Sequence, residues 1–265
     1  MNYKLIALDI DDTLLTSDRR VTPRTEEAIH AAEDAGVQVV LCTGRLPASL
    51  RYLYNDLGLK SATICSGGAQ VLSPEGEVVY SCPIGEEDTH ALLEMAHELH
   101  AYAHVYIGDY FCYEERTPYS DFYEGLCRFG GKLVPELRQM RITTPKLLMI
   151  NEPDFTARIQ PLFREAFPHL NIGRSRDTFI EFNNPKANKG NALAMLGRQL
   201  GIAAEEMIAV GDNQIDASMI RYAGLGVAMG NALPEIKDIA QFVCADNNHD
   251  GVAEVIEKFI LGGTL

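Results

Sequence analysis

Asp9, Asp11 and Asp12 follow directly on the apolar run Leu5-Ile6-Ala7-Leu8, and Thr13 comes next. An apolar run of that length reads as a parallel strand buried on both faces, and open α/β sheets bind ligands at the carboxyl ends of such strands. Asp9 and Asp11 would point the same way in extended chain, so a divalent cation could relieve their repulsion. A second acid cluster, Gly211-Asp212-Asn213-Gln214-Ile215-Asp216, follows the apolar stretch Met207 to Val210. Thr43-Gly44-Arg45 follows Val37 to Cys42, giving a hydroxyl and bare backbone N–H groups before a helix start, which suits a phosphate oxygen. Lys189 opens a helical pattern, where the helix dipole disfavours a cation unless an anion needs it. Each feature also has a plain alternative: turn and cap chemistry for the acids and Thr43, and a solvated surface position for Lys189.

The elements that would position these groups alternate between strand and helix. Thr22-Pro23 starts a helix carrying Ala28, Ile29 and Ala32, ended by Gly36. Strands are expected at Val37–Cys42 and Ala62–Cys65, separated by a helix carrying Leu50, Leu53, Tyr54 and Leu57. Val71 to Tyr80, broken by Ser73-Pro74-Glu75-Gly76, reads as a hairpin. A different pattern then sets in. It comprises a helix from Glu86 to about His100, an aromatic hairpin from Tyr102 to Glu115, a strand at Pro145–Ile150, a helix at Phe155–Phe167 and a strand at Thr178–Phe182. That order fits an α+β module inserted into the first fold. The turn-rich Asn183–Asn188 leads back to a helix from Lys189 to Leu200, strands at Met207–Val210 and Leu225–Met229, and helices at Pro234–Ile239 and Val252–Ile260.

The chain has 265 residues, 46% hydrophobic and 23% charged, enough for two domains without disulfides. A net charge of −14 argues against nucleic acid and anionic membranes as partners. A small anionic substrate would need a local positive site. Cys42, Cys65, Cys82, Cys112, Cys127 and Cys244 form no CxxC pair and read as reduced thiols. With no signal-peptide core and no long uncharged apolar window, the expectation is a cytoplasmic protein, either a monomer or a weak homodimer.

Taken together, Asp9-Ile10-Asp11-Asp12-Thr13-Leu14, Thr43-Gly44-Arg45, Asn188-Lys189-Gly190 and Gly211-Asp212 with Asp216 resemble the haloacid dehalogenase (HAD) superfamily of phosphatases. The resemblance is specifically to the Cof-type hydrolases with an α/β cap. It implies a doubly wound, mostly parallel, Rossmann-like α/β core at 1–82 and 183–265, with a cap inserted at 83–182 that closes over the cleft and chooses the leaving group. It also implies that Asp9 is the nucleophile forming an aspartyl-phosphate, and that Asp11 is the general acid and base. Mg²⁺ would be held by Asp9, Asp212 and the backbone carbonyl of Asp11. Ile10 and Gly44 through their backbones, Thr43 and Lys189 would hold the phosphoryl oxygens, with Asp216 and Asn213 behind them.

Two departures stand out. Ile215 occupies a position where such proteins usually carry Asn, with Asn213 a candidate to compensate, and Gly67-Gly68-Ala69 replaces the usual Asn-Gly-Ala. Arg45 would meet a substrate anion or, slightly favoured, pair with a neighbouring acid. His104, Tyr106, Tyr110, Tyr113, Arg116 and Tyr119 could line a cap pocket, but aromatic hairpins more often pack a sheet, and none is assigned to the site. The implied function is Mg²⁺-dependent hydrolysis of small phosphorylated metabolites, either sugar phosphates or nucleotide-cofactor phosphates. The alternatives are a phosphomutase of the phosphomannomutase type, a receiver-like phospho-acceptor, and a non-catalytic protein that kept the fold.

Overall fold

The computed structural model describes residues 3–127 and 130–262. The chain begins with β1 (Leu5–Leu8), α1 (Pro23–Asp34), β2 (Gln38–Cys42), α2 (Arg51–Leu57) and β3 (Thr63–Cys65), then β4 (Gln70–Leu72) and β5 (Val78–Ser81). Thr22 caps α1 by accepting from the Thr25 N–H at 3.2 Å, with Pro23 in the first turn. Next come α3 (Glu86–Glu98), β6 (Ala103–Ile107), β7 (Tyr110–Tyr113), α4 (Pro118–Cys127), β8 (Gly131–Leu133), β9 (Leu147–Ile150), α5 (Pro153–Ala166), β10 (Asn171–Arg176) and β11 (Phe179–Asn183). The chain closes through α6 (Lys189–Leu200), β12 (Met207–Gly211), α7 (Ala217–Tyr222), β13 (Leu225–Ala228), α8 (Pro234–Ile239), β14 (Phe242–Val243) and α9 (Gly251–Phe259).

Two compact units result. The first comprises 1–45, 52–80 and 188–265. Its sheet runs β14-β13-β12-β1-β2-β3-β4-β5, parallel from β14 to β3 and antiparallel at β3–β4. β1 is buried along its whole length, which is why its sequence shows no alternation.

The second unit comprises 46–51 and 81–187, around a sheet of order β10-β11-β9-β6-β7-β8. Strand alternation divides its faces. Val105, Leu147, Met149 and Ile180 pack with Leu92, Ile159 and Phe163 of α3 and α5. Tyr106, Phe111, Leu148 and Phe179 pack on the other side with Tyr123 of α4. The contacts shift the expected boundary in two ways. Leu46 joins the Tyr102–Tyr106–Phe111 cluster, drawing 46–51 into this unit. The Asn184 side chain donates to the Pro83 carbonyl at 3.0 Å, keeping the return turn with it as well.

Three elements of this unit escape the sequence pattern. α4 is rich in aromatic residues and contains Gly125, which weakens its helical signal. β8 has only three residues, and β10 is a largely exposed, polar edge strand without alternation. His104, Tyr106 and Tyr113 are buried packing residues, whereas Tyr110 is half exposed and Arg116 pairs with Asp121 at 2.8 Å.

Candidate active site

Register alone brings the strand ends of the first unit together. Leu8 lies opposite both Leu41 and Val210, and Cys42 lies opposite Ile64. Asp9, Thr43, Asp212 and Ser66 therefore leave the sheet along one edge. The chain runs from β1 to β2 and β3 on one side and returns as β12, β13 and β14 on the other. Such a switch point opens a crevice at the carboxyl ends of the strands.

After Asp9 the backbone makes a wide turn, closed by Leu14 N–H to the Asp9 carbonyl at 3.2 Å and Leu15 N–H to the Ile10 carbonyl at 2.9 Å. Asp12 takes φ 59° within it, a left-handed conformation that Asp tolerates better than most residues. Thr13 donates across the site to Asp212 Oδ1 at 3.1 Å. Gly68, at φ 95°, admits the backbone of the α6 start: a Cβ there would stand 2.3 Å from the Asn188 carbonyl.

Asn188 caps α6, and Lys189 behind it is fully buried. Its Nζ lies 2.5 Å from Asp9 Oδ1 and 2.5 Å from Asp216 Oδ1. Burial works against the ammonium, but Asp9 and Asp216 overcome it and hold Lys189 charged well above its usual range. Asp216 is also fully buried, and its second oxygen accepts the Asp212 and Asn213 N–H groups, each at 3.0 Å. Gly211 makes room for it, since a Cβ there would fall 2.5 Å from the Asp216 Cβ.

Carboxylate oxygens of Asp9, Asp212 and Asp216 lie within 4.8 Å of one another. Burial, reinforced by Asp216 and opposed by Lys189, raises Asp9 to about 7. Burial and Asp216 likewise raise Asp212 to about 6. One lysine thus leaves the acids under-compensated. Asp216 has both oxygens engaged, whereas Asp9 Oδ2 and Asp212 Oδ2 accept no hydrogen bond among the described residues. An all-oxygen, under-compensated donor set of this kind fits a hard divalent cation such as Mg²⁺.

The remaining expected residues stand nearby. The Thr43 hydroxyl accepts from the Arg45 N–H at 3.1 Å and keeps its own proton to donate. Arg45 clamps Asp11 through Nε at 2.8 Å and Nη2 at 2.5 Å, so the expected pairing with an acid is found. Asn213 turns its side-chain oxygen onto the Gln214 N–H at 2.7 Å as a turn cap, so that oxygen is spent locally. Sequence pattern gave no sign of Ser218, whose hydroxyl accepts from the Gly190 N–H at 3.0 Å and ties α7 to the α6 start.

Comparison with known proteins agrees with this geometry. The profile of haloacid dehalogenase-like hydrolases matches residues 6–256. YxeH of Bacillus subtilis strain 168 is 34% identical over 269 residues, covering 98% of this chain and 99% of its own. The 5-amino-6-(5-phospho-D-ribitylamino)uracil phosphatase YcsE of the same organism is 30% identical over 267 residues, covering 98% and 97%. The solved structure of a haloacid dehalogenase-like hydrolase from Bacteroides thetaiotaomicron superposes with a TM-score of 0.89 at 28% identity, covering 98% of this chain and 100% of that one. The chain therefore belongs to the haloacid dehalogenase-like hydrolases, in their Cof-type branch with an inserted cap, and is a hydrolase of phosphate monoesters.

Proposed function

We propose that this protein releases phosphate from small phosphorylated metabolites through a covalent intermediate on Asp9, with Mg²⁺ held by Asp9, Asp212 and the Asp11 carbonyl. The observation that carries this reading is the crowding of the Asp9, Asp212 and Asp216 carboxylates within 4.8 Å around the Lys189 ammonium. When bound, the cation supplies positive charge to the transferring phosphoryl group and screens its oxygens from the acids.

An Asp9 oxygen attacks phosphorus as the ester P–O bond breaks, and the departing oxygen takes a proton from Asp11. Water then attacks phosphorus and gives a proton to Asp11, and the P–O bond to Asp9 breaks. Arg45 must release at least one Asp11 oxygen before that group can serve the leaving oxygen, since it engages both. Lys189, locked between Asp9 and Asp216, holds the nucleophile's other oxygen in place and offers charge to the phosphoryl group. The Thr43 hydroxyl and the Ile10 and Gly44 N–H groups complete its cradle.

YcsE bears a name that specifies a phosphate on a sugar-like chain attached to a heterocycle. That chemistry supports sugar phosphates or nucleotide-cofactor phosphates as the substrate class. The test is a screen of such esters with and without Mg²⁺, run beside Asp9→Asn. Metal-dependent release should fall at least about 1,000-fold in the variant. Unchanged release there would remove Asp9 from its role.

A further inference from the structure

We propose that Asn231 and Asn247 are positioning residues for the acid–base group: they hold the turn that carries Asp11 where its carboxyl can serve the leaving oxygen. This rests on the role given to Asp11 under the proposed function.

The internal bonds of the turn, Leu14 N–H to the Asp9 carbonyl and Leu15 N–H to the Ile10 carbonyl, close its ends but do not reach its apex. The apex is gripped from outside. Asn231 Nδ2 donates to the Asp12 carbonyl at 2.7 Å, and Asn247 Nδ2 donates to the Leu15 carbonyl at 2.9 Å. Further along, Asn248 accepts from the Ser17 N–H at 3.1 Å and donates to the Ser17 hydroxyl at 3.0 Å. These asparagines come from two loops, β13–α8 and β14–α9, which are themselves joined. The Asn247 N–H donates to Asn231 Oδ1 at 3.1 Å, and the Gly230 N–H donates to the Ala245 carbonyl at 3.1 Å. Since a backbone N–H only donates and a carbonyl only accepts, the Asn231 amide is fixed in one orientation between Asn247 and Asp12.

Asp12 is left-handed at φ 59°, a conformation that persists only where its surroundings enforce it. Asn231 enforces it by holding the peptide unit that follows. The Leu15 carbonyl lies on a residue 2% exposed, so without Asn247 it would be buried unpaired and the turn would shift toward water. Placement by backbone matters because Arg45 engages both Asp11 oxygens and must release at least one for catalysis. The turn must then aim the acid, and an error of about 1 Å in such a group costs on the order of 100-fold.

Leaving-group dependence separates aiming from mere support. p-Nitrophenolate departs without a proton, whereas the alkoxide of ribose 5-phosphate needs one. The measurement is kcat/KM for both esters at saturating Mg²⁺, with thermal melts as a check on folding. Asn231→Ala, at an exposed position, and Asn247→Ala should each lose at least about tenfold more on ribose 5-phosphate than on p-nitrophenyl phosphate. Asp11→Asn should show the same bias, larger. Equal losses on both esters, or none, in the folded asparagine variants beside a biased Asp11→Asn would overturn the proposal. An unbiased Asp11→Asn would instead remove Asp11 from its acid role, and the proposal with it.

Discussion

The two units bury charge in opposite ways. In the first, Asp9, Asp212 and Asp216 share one ammonium, and burial leaves Asp9 near 7 and Asp212 near 6. In the second, Lys146 pairs with a single acid, Glu181, at 3.2 Å. Lys146 holds Glu181 below the usual carboxylate range, and Glu181 outweighs burial to hold Lys146 above its own. His104, kept neutral by burial, has both ring nitrogens bonded to tyrosine hydroxyls, Tyr102 at 3.2 Å and Tyr106 at 3.0 Å. Charge left unbalanced marks the place where a ligand is expected, and charge matched one to one marks packing.

Removing one charged partner from each unit should expose that difference. Lys189→Met leaves buried carboxylates uncompensated and should cost about 3–5 kcal/mol in urea unfolding. The loss should be smaller at pH 5 than at pH 8, because Asp9 and Asp212 take up protons at the lower value. The metal-free protein should show a related, smaller trend. Both acids hold their protons more tightly folded than unfolded, so ionising them disfavours the folded state. Stability should fall by about 2–4 kcal/mol as pH rises from about 4 to about 7, and added Mg²⁺ should flatten that slope.

Glu181→Gln in the second unit should cost about 1–2 kcal/mol. The sign reverses there. Glu181 binds its proton more weakly folded than unfolded, so its contribution is present above about pH 4.5 and lost as pH falls through the folded value. Mg²⁺ affinity should be unchanged in this variant. A Glu181→Gln protein that lost Mg²⁺, or a Lys189→Met protein as stable as the original, would erase the contrast.

Sequence made the first unit more legible than the second for a physical reason. Strands buried on both faces are uninterrupted apolar runs, and Asp9, Thr43 and Asp212 each sit just beyond the end of one. The misplaced charge at Lys189 was also visible, because a lysine at a helix start needs an anion to justify it. Contacts formed only through the fold were not visible. Thr13 reaches Asp212, Asp11 gives both oxygens to an Arg45 that was expected only to pair with some neighbouring acid, and Ile215 lies beside two glycines from other loops. In the second unit, α4 carries aromatic residues that pack a sheet face, and β10 buries Ile172 but leaves the residues from Arg174 to Arg176 exposed, so no alternation shows.

Titration of the intact protein with Mg²⁺ by calorimetry near pH 6.5, beside Asp212→Asn, probes the unbalanced acid cluster most directly. One ion per chain should bind with release of protons, and Asp212→Asn should weaken it by at least about tenfold. Absence of binding, or binding in Asp212→Asn equal to that of the unaltered protein, would contradict a cation site at these strand ends.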